Sequence, residues 1–348
     1  MTAIDRGSQN VLSFDRAIIE KLRTIKNSAP LFIVGCPRSG TTLLLRLIRD
    51  YLDMGFGRDN GRFVRYRNLL EHYGALEQDE NLTRLLRGIF ADGDFRKRFK
   101  GFSLEPEQVM TALEERTFSD LIRLIYAAFA LAQGKSRWGG KTPRYVFHIA
   151  ELSEMFPDAK FIHIVRDGRD VALSLFGMPW GAPRNCYMVA KYWQERVSAA
   201  QASGADLGAE KYLEIKYERL LTDPVSVFQK IVDFGSFEVD RDQVLGRFGE
   251  DMPAILKKDN LDKWKTRLTP TQIMVFEQTA GAKLEELGYE VQNRHLIGRP
   301  IGRDREVYYR LHNLLGRIVK EGASSMVERL GRGFEKATLQ LRSLLNSP

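Results

Sequence analysis

The 348 residues are 43% hydrophobic and 28% charged, enough apolar mass for one large α/β domain or two modest ones and too much for wholesale disorder. No stretch reaches the roughly 18 consecutive apolar residues of a membrane span, and the polar start MTAIDRGSQN has no secretory pattern, so a cytoplasmic protein is expected. Two cysteines (Cys36, Cys186) make no disulfide framework and five scattered histidines no zinc site, while a net charge of +8 and a pI near 9.4 favour an anionic partner: nucleic acid, anionic lipid or a phosphate-rich cofactor.

In chain order, SFDRAIIEKLRTIK at 13–26 has the spacing of an amphipathic helix with Ser13 as its N-cap, within an N-terminal segment 1–30. After Pro30, Leu31-Phe32-Ile33-Val34 is a fully apolar run, the pattern of a strand buried on both faces. A loop from Gly35 to Gly40 follows, and helical spacing resumes over 41–52. Residues 77–137 read as helical throughout, with Ser103, Glu105 and Pro106 marking one helix start, so 60–137 is a helical insertion. KFIHIV at 160–165 and YLEIK at 212–216 are further strands, each followed by helical pattern. Strands alternating with helices predict an α/β fold, a P-loop-like three-layer sandwich around a mostly parallel sheet spanning 31–290. Gly and Pro at 298–302 then open a basic tail, 299–348, with ten Lys or Arg against five acids and a helical pattern over 305–346 broken at Gly316, Gly322, Gly331 and Gly333.

A loop that leaves a buried strand and opens a helix offers unpaired backbone N–H groups at the positive end of the helix dipole, a ready site for anionic oxygens. Gly35 and Gly40 have the spacing of an ATP-binding loop, but Thr41 stands where its lysine would be and the cation is Arg38, inside the loop. That argues against a nucleotide kinase and supplies a planar donor for an oxyanion. Arg166-Asp167-Gly168-Arg169-Asp170 leaves the second strand, with Ser174 eight residues after Arg166. Arg166 can give two charge-assisted hydrogen bonds and Ser174 a third; the bland alternative is a surface salt-bridge cluster of Arg166, Asp167, Arg169 and Asp170.

Pro37-Arg38-Ser39-Gly40-Thr41-Thr42 resembles the 5′-phosphosulfate loop of the sulfotransferases that use 3′-phosphoadenylyl sulfate (PAPS), most closely their bacterial branch similar to protein-tyrosine sulfotransferases. The segment from Arg166 to Ser174 resembles their 3′-phosphate motif. Lys141-Thr142-Pro143, Tyr217-Glu218-Arg219-Leu220 and Lys263-Trp264 resemble, in order, a lysine facing the transferring group, a tyrosine touching the cofactor and a late pair closing over it. The resemblance implies PAPS as donor and no metal. It assigns Arg38, Ser39, Gly40, Thr41, Thr42, Arg166, Ser174, Tyr217 and Lys263 to the nucleotide, and Arg38 and Lys141 to the sulfonate. The tyrosine-directed relatives carry a glutamate base after the first helix; ungapped alignment from Arg38 puts Asp59 there, one methylene shorter, with His72 as rival because other branches use histidine.

The expected acceptor is a small-molecule or carbohydrate alcohol, with peptide tyrosine as the alternative. A polyanion- or nucleic-acid-binding protein is the reading from another class, resting on charge alone because RRM, KH and zinc-finger signatures are absent, so nucleic acid is not the expected partner. The tail is a candidate for docking on the core or on an anionic membrane. Cys36 reads as a packing residue, Trp193 as core, and Trp180 as a candidate for the acceptor pocket.

Overall fold

The computed structural model describes residues 10–11, 16–57, 61–93, 95, 102–103, 105–178, 182–256 and 258–321. Ser13, Asp59, Trp180 and the tail beyond 321 lie outside them. The chain forms two compact units, residues 1–166 with 196–258 and residues 167–195 with 259–348.

The first unit holds all the described strands: β1 (Asn10–Val11), β2 (Leu31–Val34), β3 (Met54–Gly57), β4 (Phe102–Ser103), β5 (Arg137–Lys141), β6 (Lys160–Val165) and β7 (Tyr212–Lys216). β1 pairs with β4; the other five make an all-parallel sheet in the order β3-β5-β2-β6-β7. β2 is central, its Ile33 opposite Lys141 of β5 and Ile162 of β6. From β2 the chain moves first to one side of the sheet and later to the other, so the crevice at its carboxyl end is a topological switch point.

Alternation sends Phe32 and Val34 into one core with Trp138, Phe161 and the helix Phe118–Ala132, leaving Leu31 and Ile33 to the opposite face. Phe32 stacks on Phe161 at 5.5 Å and meets Trp138 edge-on at 6.2 Å. The helix Arg16–Asn27 belongs to this unit. Leu22 and Ile25 are buried, and Lys26, 1% exposed, pairs with Glu114 and Asp120 at 2.7 Å each.

The 77–137 stretch is not continuously helical. Among the described residues its helices are Asp79–Ala91, Pro106–Ala112 and Phe118–Ala132, β4 lies between the first two, and its last residue opens β5. Pro106 sits in the first turn, where a missing N–H costs nothing, and Gln108 Oε1 accepts from the Glu105 N–H at 3.0 Å. Thr117 caps the third helix by accepting from the Asp120 N–H at 3.1 Å.

The second unit contains the helices Gly168–Phe176, Pro270–Glu286 and Arg303–Glu321 and the start of Cys186–Leu207. Gly316 does not interrupt the Arg303–Glu321 helix: it lies on the docked face, where a β-carbon would come within 3.2 Å of the Arg184 side chain. Among the described residues no helix is long and apolar enough to cross a membrane.

Candidate active site

The loop after β2 is tied down from below. Ser39 N–H donates to the Cys36 carbonyl at 3.1 Å, and the helix Thr41–Tyr51 starts with Gly40 accepting from Leu44 N–H at 3.0 Å. Gly40 has φ 99°, and a β-carbon there would sit 2.5 Å from the Tyr217 ring, so both backbone and packing require glycine. Arg38 has φ 77°, a left-handed conformation that a non-glycine residue adopts at a cost of about 1–3 kcal/mol. That turn presents the Arg38 carbonyl to Arg166, whose Nη1 donates to it at 3.3 Å.

Three cations and three hydroxyls meet on this loop. Arg38 is exposed; Arg166 is 6% exposed and lies over the Tyr217 ring at 4.5 Å. Lys141, at the end of β5 and 8% exposed, donates to Thr42 Oγ1 at 3.3 Å. A threonine hydroxyl that accepts from lysine keeps its own proton for a further acceptor. Thr41 is buried and Thr42 exposed. Ser39 Oγ is fully buried with no hydrogen-bond partner, a state that costs about 1–3 kcal/mol unless an acceptor is supplied. Anionic oxygens fit this donor set. Burial pushes the Cys36 thiol up to about 12, so it packs as a neutral group at the strand end.

In the second unit the residues after Arg166 are not a surface cluster. Asp167, Arg169 and Asp170 are buried, as is Arg166 itself in the first unit. Arg169 Nε and Nη2 donate to the Asp167 carboxylate at 3.0 and 2.7 Å, its Nη1 donates to Glu277 at 2.6 Å, and its guanidinium lies 3.5 Å over the Trp264 ring. Asp170 accepts from the Trp264 N–H at 2.9 Å, which places the half-buried Lys263 beside the start of the Gly168–Phe176 helix. Ser174 lies on that helix, half-buried.

Glu277 was not visible as a partner in the sequence. A lone acid among Ile273, Val275 and Phe276 is the signal, and it is fully buried, also accepting from the Asn293 N–H at 2.7 Å. Glu277→Gln keeps the shape but removes the charge facing Arg169. It should lower stability by about 1.5–3 kcal/mol, read as a drop of several degrees in the melting temperature. An unchanged melting curve would mean that Asp167 alone satisfies Arg169.

Trp193 is fully buried against Phe276 at 6.0 Å, a core residue. His72 is exposed on the short turn Leu70–His72, its carbonyl accepting from Arg84 at 3.4 Å. Asp59 follows β3, whose last residue, Gly57, pairs with Gly140, the neighbour of Lys141. Among the described residues no group of His, Cys, Asp and Glu is placed to hold a metal ion.

Comparison with known proteins finds similar chains. The chain is 26% identical over 299 residues to nodulation protein NoeE of Sinorhizobium fredii, covering 76% of this chain and 67% of that protein. It is 25% identical over 241 residues to the protein-tyrosine sulfotransferase of Drosophila melanogaster, covering 65% of this chain but 43% of that protein. Among solved structures, the sulfotransferase domain of the Synechococcus PCC 7002 olefin synthase is similar at 22% identity and a TM-score of 0.44, covering 76% of this chain and 98% of that one. The model of the sulfotransferase family matches residues 30–241, more than half of the chain, and takes in the loop after β2, Lys141, Arg166 and Tyr217. This chain therefore belongs to the sulfotransferase family.

Proposed function

We propose that this sulfotransferase takes its sulfuryl group from PAPS and transfers it to the hydroxyl of a small-molecule or carbohydrate alcohol. The observation that carries the reading is the convergence of Lys141 and Arg166 on one strand-to-helix loop, at 3.3 Å from Thr42 Oγ1 and from the Arg38 carbonyl. Two buried cations and an unpartnered buried hydroxyl on a helix N-terminus call for a ligand with several anionic oxygens.

Residues 38–42 would hold the 5′-phosphosulfate through backbone N–H groups and the Ser39, Thr41 and Thr42 hydroxyls. Arg166 would hold the 3′-phosphate, and the resemblance adds Ser174, Tyr217 and Lys263 to the nucleotide's contacts. Bound there, PAPS would supply a sulfuryl group whose sulfur gains the acceptor oxygen as it loses the 5′-phosphate oxygen. Arg38 and Lys141 would stabilise the charge that gathers on the sulfonate and on the departing oxygen, the usual work of a preorganised donor set. Asp59 would take the acceptor's proton. The similarity to a protein-tyrosine sulfotransferase is what keeps peptide tyrosine as a second acceptor class.

Retention on immobilised adenosine 3′,5′-bisphosphate, released by PAPS but not by ATP, tests the donor; a screen of acceptor classes with radiolabelled PAPS tests the rest. Arg166→Ala should weaken binding of the 3′-phosphorylated nucleotide by about 1.5–3 kcal/mol per lost charge-assisted hydrogen bond while leaving adenosine 5′-phosphosulfate nearly unaffected. Equal losses for the two ligands in calorimetry would remove Arg166 from the 3′-phosphate.

A further inference from the structure

The helix Arg303–Glu321 is docked by one side only. Asn313 Oδ1 accepts from the Arg184 N–H at 2.7 Å, the Tyr309 carbonyl accepts from Asn185 Nδ2 at 2.7 Å, and the Tyr309 ring stacks on Tyr187 at 5.4 Å. Val307, Tyr308, Leu311, Leu314, Leu315 and Val319 are each between 42% and 82% exposed, Tyr308 standing at the edge, where it also lines a cavity beside Arg184 and Asn185. At about 100° per residue these six fall in one arc of roughly 140°; Ile318 falls inside it, as does the exposed Asp304 in the first turn, so the apolar run is continuous from Val307 onward. An apolar face this wide on an otherwise polar helix needs a cover.

The charges choose the cover. By helical position Arg303, Arg310 and Arg317 line one border of the arc, with Glu321 at its far end, and Arg305 lines the other; Glu306, the acid paired with Arg310, lies toward the docked side. Over residues 299–348 the chain carries ten Lys or Arg against five acids, an excess that a second copy would repeat and an anionic surface would neutralise. An anionic surface would pair with both borders at once while apolar side chains enter it, the arrangement of helices that lie in a membrane interface. We infer that the exposed face of the Arg303–Glu321 helix seats this protein on a membrane surface rich in anionic lipid. The inference rests on this helix alone and is independent of the donor and acceptor.

Co-sedimentation of the full chain with phosphatidylcholine vesicles, with and without phosphatidylglycerol, tests it. The protein should pellet with the phosphatidylglycerol vesicles and not with phosphatidylcholine alone, and added salt should release it. Leu311→Glu with Leu315→Glu should reduce the vesicle-bound fraction about tenfold at an unchanged melting temperature, and Arg303→Glu with Arg305→Glu should do so without touching the apolar arc. Val319→Glu, at the most exposed of the six positions, provides a second variant should the double one fold poorly. Equal pelleting with both vesicle types would overturn the inference, as would wild-type pelleting of the folded Leu311/Leu315 or Val319 variants. A monomer–dimer equilibrium in sedimentation velocity that the Leu311/Leu315 substitutions abolish would assign the face to a second copy instead.

Discussion

Arg38→Ala is expected to reduce kcat/KM by about 10²–10³, the usual loss when a preorganised donor to developing charge is removed. Arg38 is the exposed cation of a loop whose other charged partners, Lys141 and Arg166, come from neighbouring strands. Its backbone is also unusual: at φ 77° the residue holds a conformation that glycine adopts freely. Two substitutions therefore separate chemistry from folding. Arg38→Ala keeps the backbone strain, whereas Arg38→Gly removes it and should be more stable than the alanine variant by about 1 kcal/mol. Both should be nearly inactive. Arg38→Lys should recover only part of the rate, because an ammonium cannot offer the planar pair of donors that a guanidinium does. A folded Arg38→Ala enzyme keeping more than about a tenth of wild-type kcat/KM would remove the arginine from the transition state.

Persistence of that strain at this position has a physical reading. The left-handed turn is what points the Arg38 carbonyl at Arg166 and leaves the side chain outside the packed loop. A sequence shows that an arginine lies in a glycine-bounded loop, but it does not show the sign of φ.

The sheet was legible where strands are buried by apolar side chains and illegible where they are buried by the absence of side chains. β2, β6 and β7 announce themselves as LFIV, KFIHIV and YLEIK. β3 is MGFG and β5 is RWGGK, compositions that strand propensity disfavours. Tertiary packing overrides propensity here: a β-carbon on Gly139 would run into the Leu31 carbonyl, so glycine is what lets β5 lie against β2. Lys141 was singled out through its likeness to a family pattern, while the strand that carries it went unread. The salt-bridge cluster after Arg166 failed for a related reason. Charged residues default to the surface, and nothing near Arg169 in sequence reveals Glu277, which comes from a helix more than a hundred residues away.

β3 bears directly on the acceptor base. Read without it, Asp59 is a loop aspartate somewhere after the first helix. With it, the chain reaches the carboxyl edge of the sheet at Gly57, registered with Gly140, and Lys141 and the loop after β2 leave from that same edge. Asp59 comes two residues later in sequence, and its placement lies outside the described residues. In a parallel sheet ligands gather at the carboxyl edge, which favours Asp59 over a histidine on an exposed turn. Asp59→Asn should therefore lower kcat by about 10²–10⁴, the range for a lost general base. The dissociation constant for PAPS should stay where it was, because the role proposed for the carboxylate is toward the acceptor oxygen and not the nucleotide. Asparagine preserves size and shape, so a packing defect would not mimic the effect, and His72→Ala made in parallel should be nearly silent. A fully active Asp59→Asn beside an inactive, folded His72→Ala would hand the proton to the histidine. It would also mean that the register carried forward from Arg38 slips within the residues that follow β3.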